Sequence, residues 1–265
     1  MNELKGQVAI VTGGSRGVGK GCALQLANAG ATVYVSGRSA GVEQTANEVE
    51  ARGGHGVAVV CDHADDEQVG NLFQQVDREQ GRLDILINSA FCDPGISAGR
   101  PFWETPLSWY DELLEAGTRG AYVATHFAAS RMLAGGRGLV VNVSSLGAAH
   151  YFGHVAYGMG KAAVDKLTKD AARELRDHNV TLVSIWPYFV KTETVLDLAE
   201  KGAKLPLEGA ESQSFVGRGV VALALDPDVH VRTGKPFTSL ELAEFYNFRD
   251  EDGSLPLGST VPRRG

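Results

Sequence analysis

The sequence predicts an α/β protein, a doubly wound sheet of seven parallel strands with helices on both faces. Two observations carry that expectation. Short apolar runs rich in Val and Ile alternate with amphipathic stretches, the pattern of parallel strands buried on both faces and joined by crossover helices. A glycine-rich segment separates the first run from the first amphipathic stretch, at a strand-to-helix turn. A length of 265 residues suits one such sheet, and no repeat or linker divides it, so residues 1–265 are read as a single domain.

The elements follow in order. The first strand is Gln7 to Thr12, and the helix after the glycine turn runs from Val18 to Ala29. A second strand, Thr32 to Ser36, precedes a helix over Val42 to Arg52, and a third, Gly56 to Cys61, precedes one over Glu67 to Glu79. The fourth strand, Ile85 to Asn88, opens into an irregular stretch, Phe91 to Pro106, broken by Pro94, Gly95, Gly99 and Pro101. A long helix over Leu107 to Leu133 leads to the fifth strand, Gly138 to Ser144, and another over Ala156 to Asp177 leads to the sixth, Thr181 to Trp186. A second irregular stretch, Tyr188 to Ser214, precedes a helix over Phe215 to Leu225 and the seventh strand, Lys235 to Ser239. Right-handed crossovers place ligands beyond the C-terminal strand ends, where both irregular stretches emerge, so residues 188–214 are expected to form a substrate lid.

Composition excludes several classes. With 43% hydrophobic and 22% charged residues the chain is ordinary globular protein rather than disordered or coiled-coil. A net charge of −7 without a basic run argues against nucleic acid or anionic lipid as partners. No apolar stretch has the length of a membrane span, and Met1 to Gly6 lacks the apolar core of a signal peptide, so a cytoplasmic protein is expected. Cys22, Cys61 and Cys92 match neither a disulfide framework nor a metal-ligand spacing; they read as reduced thiols, with no metal.

The chemistry begins at Thr12-Gly13-Gly14-Ser15-Arg16-Gly17-Val18-Gly19. A helix N-terminus offers unpaired N–H groups and a partial positive charge, and glycines let a pyrophosphate approach the backbone. Gly13, Ser15, Arg16, Gly17, Val18 and Gly19 are therefore candidate dinucleotide contacts. A nucleoside-triphosphate loop competes, since Gly14 to Lys20 reads G-x-x-x-x-G-K, but Gly21 stands where that loop needs Ser or Thr for Mg²⁺. The remaining alternative is a purely structural turn. The second strand ends Val35-Ser36-Gly37-Arg38-Ser39 without the acid that binds the ribose 2′-OH of NAD. Arg38, helped by Arg16, Ser15 and Ser39, suits a 2′-phosphate instead, which favours NADP(H) over NAD(H); the alternative is two solvated arginines.

Farther along, Asn142-Val143-Ser144-Ser145 ends the fifth strand, and Tyr157-Gly158-Met159-Gly160-Lys161 opens a helix. Positions i and i+4 share a helix face, so the phenol of Tyr157 and the ammonium of Lys161 can address one cleft. A neighbouring cation is expected to lower the phenol pKa and make Tyr157 a proton donor, with the Ser144 hydroxyl against the same carbonyl oxygen.

On these motifs, in this order and on adjacent strand ends, the chain resembles the short-chain dehydrogenase/reductase family from Thr12 to about Ser239. The resemblance implies a Rossmann-type sheet, hydride transfer with a nicotinamide cofactor, and catalytic roles for Ser144, Tyr157 and Lys161. It also implies cofactor contacts from Asp62 near adenine with His63 beside it, from Asn88, Ser89 and Ala90 in place of N-N-A-G, and from Pro187, Val190 and Thr192 in place of P-G-x-V-x-T. Tyr157 and Lys161 count among the cofactor contacts as well. Ser89, Phe91 and Tyr188 depart from those motifs, and Gly117 replaces an asparagine that holds a water of the family's proton relay.

Phe102-Trp103-Glu104-Thr105-Pro106, Ala116 to Gly120, Asp165-Lys166-Leu167, Phe248-Arg249-Asp250 and Asp252-Gly253 resemble a subgroup that also carries glycine there. Its animal members are NADPH-dependent reductases of steroid and xenobiotic carbonyls with a longer C-terminal extension. Here Val261-Pro262-Arg263-Arg264 gives no apolar tail, so membrane association is not expected to transfer.

The expected function is NADP(H)-dependent reduction of a bulky apolar ketone or aldehyde, on a face combining Leu146, His150, Tyr151, Phe152, His154, Phe91, Trp103, Tyr188 and Phe189. The alternatives are an NAD-dependent alcohol dehydrogenase and a dinucleotide-binding scaffold or sensor whose catalysis has decayed. The family implies a homodimer or homotetramer through the two long helices, where Ala121, Ala124, Ala128 and Ala129 allow close approach. His126 reads as a packing or oligomer contact.

Overall fold

The computed structural model describes residues 2–94 and 100–257; Gly95 and Gly99 of the first irregular stretch, and Val261 to Arg264, lie outside them. Seven strands form one sheet in the order β3-β2-β1-β4-β5-β6-β7, every neighbouring pair parallel. They are β1 Val8–Thr12, β2 Thr32–Gly37, β3 His55–Val60, β4 Ile85–Asn88, β5 Gly138–Val143, β6 Val180–Trp186 and β7 Lys235–Thr238. The order reverses between β1 and β4, which opens a crevice at their C-terminal ends.

Alternation along β1 divides the core. Ala9 and Val11 join one cluster with Leu26, Val216 and Val220, whereas Val8 and Ile10 join another with Leu72, Phe73, Ala128 and Met132. The first cluster packs under α1 (Gly17–Asn28), α2 (Gly41–Ala51) and α8 (Gln213–Leu225), the second under α3 (Asp66–Gln80), α5 (Gly120–Gly135) and α6 (Val155–Leu175). The α1 and α8 backbones touch: a Cβ on Gly21 would stand 2.2 Å from the Gln213 carbonyl oxygen, and one on Gly217 2.5 Å from that of Gly21.

The expected strands and helices are present, with three differences. The predicted helix over Leu107 to Leu133 is α4 (Ser108–Leu113), a π-helical turn over Leu114–Arg119, and then α5. Glycines at 117 and 120 relax this segment, and Gly120 backs onto the His63 carbonyl, 2.9 Å from where its Cβ would stand. The stretch after β6, expected to be irregular, contains α7 (Glu193–Glu200), started by the Thr192 hydroxyl accepting from the Val195 N–H. A capping box, Thr238 with Glu241, starts a further helix, α9 (Ser239–Tyr246). β3 lies at the sheet edge, so it is only partly buried and leaves Val60 66% exposed.

Candidate active site

The glycine turn closes on the end of β4. Gly13 has φ +65°, and a Cβ there would meet the Ala90 Cα at 2.7 Å; a Cβ on Gly19 would meet the Gly13 carbonyl oxygen at 2.4 Å. The Thr12 hydroxyl accepts the Ser89 and Ala90 N–H groups at 3.0 and 3.1 Å, binding the turn to that strand end. Arg16 precedes α1 in extended conformation, without a side-chain cap. The Gly17 N–H instead donates to a Glu193 carboxylate oxygen at 2.8 Å, so the α1 N-terminus already holds an anionic group. Backbone donors, helix polarity and a cradle that any Cβ would fill suit the pyrophosphate of a dinucleotide.

Around the turn, Ser15 lies against Gly37 and Gly41, beside Ser39. Arg38 is exposed, and its guanidinium reaches the Cys92 Sγ at 4.0 Å. Thr192 packs toward Gly17, 3.4 Å from the position of a Cβ, and Val190 bridges to Glu211. Pro187 is buried at the end of β6, and Asp62 stays at the surface, accepting the Ala64 N–H.

Two expected cofactor contacts turn inward. His63 is buried with its Nε2 3.0 Å from the Ser36 hydroxyl, and burial pushes its pKa down to about 4, so the ring is a neutral strut behind the β2 end. The Asn88 amide donates to Asn142 Oδ1 at 2.8 Å and Thr125 Oγ1 at 3.0 Å. Asn142 donates in turn to Thr168, which shares a bond with Ser184. Both side chains are drawn in because buried polar groups need partners, and the partners lie beneath the sheet edge.

The two serines of the doublet have different surroundings. The Ser144 hydroxyl donates to the Lys161 carbonyl at 3.2 Å, and it lowers the pKa of Asp165 nearby. Ser145 is the serine that stands beside Tyr157, both lying within 3.3 Å of where a Cβ on Gly147 would be. Its Oγ accepts the Gly147 N–H at 2.9 Å, which fixes its direction. Successive residues of an extended strand point to opposite sides, so only one of the pair can face the cleft. Gly147 permits the contact, since a Cβ there would lie 2.8 Å from the Tyr157 ring.

Tyr157 and Lys161 occupy the first turns of α6 and face the same side, with Nζ 5.7 Å from the Tyr157 ring centroid. The ammonium donates to the Val143 carbonyl at 2.9 Å. Burial holds the Tyr157 pKa above its ordinary value, partly offset by Ser145, while Asp93 pushes it further up. The direction is opposite to the depression expected from Lys161, because burial is the largest influence on the phenol. Burial also pushes Lys161 down to about 8, with Asp165 opposing. Asp165 binds the Trp186 indole N–H at 2.9 Å and is held above the usual carboxylate range by burial.

Aromatic side chains surround the phenol. Phe91 meets Tyr157 edge-on at 5.8 Å and Phe152 lies 6.2 Å from it. Phe91 and Phe152 are exposed there, as are Trp103, Tyr151 and Tyr188 on their own loops, whereas Leu146 is buried. His154, expected on the substrate face, is buried instead: it caps α6 through Nδ1, lies 3.2 Å from the Thr105 hydroxyl and packs on Trp109. In the sequence Ser145 and Asp165 stand out only as members of motifs, without a role, and nothing singles out Glu193 or Glu211.

A glycine cradle at the strand-order reversal, with a tyrosine and a lysine one helical turn apart on α6, defines a nicotinamide-dependent oxidoreductase. The chain belongs to the short-chain dehydrogenase/reductase family, whose profile, described as short chain dehydrogenase, matches residues 7–202. It is 44% identical over 267 aligned residues to "Dehydrogenase/reductase SDR family member 1" of Mus musculus, covering 94% of this chain and 85% of that protein. It is 31% identical to the 3-oxoacyl-[acyl-carrier-protein] reductase of Aquifex aeolicus, over 75% of this chain and 80% of that one. A crystal structure of a short-chain type dehydrogenase/reductase from Mycobacterium marinum superposes with a TM-score of 0.78 at 28% identity, covering 89% of this chain and 94% of that chain. Members of the family use NAD(P)(H) and act on small molecules. Among the described residues no helix is long and apolar enough to cross a membrane, and no cluster of His, Cys, Asp and Glu could hold a metal ion.

Proposed function

We propose that the chain is an NADP(H)-dependent reductase of a bulky apolar ketone or aldehyde. The observation that carries the proposal is Ser145 beside Tyr157, with Lys161 one helical turn farther on, next to a glycine cradle. Residues 1–265 act as one catalytic domain, and residues 188–214 form the substrate lid around α7. The reductase names of the relatives support the direction of reaction. Arg38 and Ser39, with Ser15 close by and no acid at the end of β2, favour a 2′-phosphate. The exposed aromatic side chains favour an apolar substrate.

The nicotinamide, when bound, supplies the hydride. Gly13, Val18 and Gly19 would hold the pyrophosphate, Lys161 the nicotinamide ribose, and Ser89, Ala90, Pro187 and Thr192 the pocket wall. Ser145, oriented by the Gly147 N–H, donates a hydrogen bond to the substrate oxygen as negative charge develops there. Tyr157, kept protonated by its raised pKa, gives that oxygen its proton. Lys161, charged at neutral pH, balances the phenolate left behind. Ser144 takes no direct part in this scheme; it anchors the Lys161 backbone. The exposed Tyr122 and Met159 on α5 and α6 suit burial in a homodimer or homotetramer.

The test is NADPH consumption with a panel of apolar ketones and aldehydes, followed by Tyr157→Phe. The variant is expected to bind NADPH while losing carbonyl reduction; a variant that still turns over would remove Tyr157 from its role.

A further inference from the structure

Position 117 lies in the π-helical turn opposite the face of α6 that carries Tyr157 and Lys161. A Cβ added there has one neighbour within 4 Å, the Phe91 Cδ2 at 3.8 Å. The Phe91 ring thus borders the space beside Gly117 at ordinary van der Waals distance. The same ring lies over the Lys161 ammonium, its centroid 5.1 Å from Nζ, within cation–π range. Phe91, Gly117, Thr118, Tyr157 and Lys161 also border a cavity with about 10 Å³ of room for a water's centre, enough for about one molecule.

Building on the proposed roles of Tyr157 and Lys161, we propose that Phe91 and Gly117 form a compensating pair in which glycine makes the room and the aromatic ring fills it, positioning Lys161. An ammonium has three N–H donors, and one of these is bound to the Val143 carbonyl. The Phe91 face offers the charge a second attractive surface without an acceptor atom, and its edge confines Tyr157. The pair thus does by packing and by attraction to a π face what a polar side chain at 117 would do by hydrogen bonding. Phe91 is a positioning residue, acting on substrate chemistry through Lys161.

The test combines a lysine titration with a double-mutant cycle. Lys161 is titrated by NMR in protein carrying ¹⁵N-labelled lysine, its resonance assigned by its loss in Lys161→Met. Phe91→Leu keeps most of the bulk and removes the π face, so the titration midpoint falls by about half to one and a half pH units, and Phe91→Tyr leaves it in place. In carbonyl reduction Phe91→Leu lowers kcat roughly two- to thirtyfold with a smaller change in the KM for NADPH. Gly117→Asn lowers kcat beside Phe91, but Phe91→Ala/Gly117→Asn is at least as active as Phe91→Ala alone, because the asparagine then has space. An unmoved midpoint in Phe91→Leu, or additive effects in the cycle, would overturn the pairing. The titration needs no turnover, so it decides the pairing even if Tyr157→Phe refutes the reductase reading.

Discussion

Glu211 offers a stability experiment whose size and sign follow from its surroundings. It is 1% exposed, at the end of the loop that leaves β6. One carboxylate oxygen accepts the Tyr188 N–H at 2.9 Å and the Ser239 hydroxyl, joining the loop to the start of α9, while the other is buried without a hydrogen-bond partner. Burial pushes the pKa from 4.5 up to about 7, and Asp250 adds to the rise. A rise of that size corresponds to about 3 kcal/mol. Between pH 4.5 and 7 the native carboxyl holds a proton that the unfolded chain has released, so this group's contribution falls as pH rises; it is fully present below 4.5 and lost above 7. Glu211→Gln cannot ionise and escapes that loss. Urea unfolding of both proteins at closely spaced pH values is expected to show their stability difference moving toward the variant by up to about 3 kcal/mol across that window, then levelling. A difference that stays constant with pH would show that the carboxyl is ionised as readily in the fold as in the unfolded chain, and the reasoning would fail.

Three other outcomes are expected. Ser145→Ala lowers kcat for carbonyl reduction by roughly 10²-fold or more, as loss of an oxyanion donor does, whereas Ser144→Ala costs less than about tenfold; the reverse order would return the role to Ser144. Gly19→Ala drives a methyl into the Gly13 carbonyl, so thermal or urea unfolding should show a loss of about 1–3 kcal/mol together with weaker NADPH binding, and an unchanged midpoint would contradict the tight turn. Arg38→Asp weakens NADPH binding by roughly ten- to a hundredfold, as loss of a charged hydrogen bond does, and leaves NADH affinity little changed; equal effects on both would refute the 2′-phosphate assignment.

The seven strands and the glycine turn were legible in the sequence because they are written locally. A run such as Val8 to Thr12 carries its own burial pattern, and Gly19 is required by the approach of the Gly13 carbonyl within one turn. The step from Tyr157 to Lys161 likewise needs only helix geometry to place both groups on one face. The capping box of Thr238 and Glu241 was equally local and went unread, which cost the sequence reading α9.

What the tertiary structure alone decided is the direction of side chains whose partners are remote in the chain. Ser144 and Ser145 are chemically identical, and the choice between them rests on Asp165 and the Lys161 carbonyl lying behind the strand and Tyr157 in front. Asn88 and His63 turn inward because Asn142, Thr125 and Ser36 wait there. The helix across Gly117 widens into a π turn, and Phe91 from another loop lines the space beside it. The sign of the Tyr157 shift depends on how much water the whole fold removes, a sum over neighbours that no spacing of residues along the chain encodes.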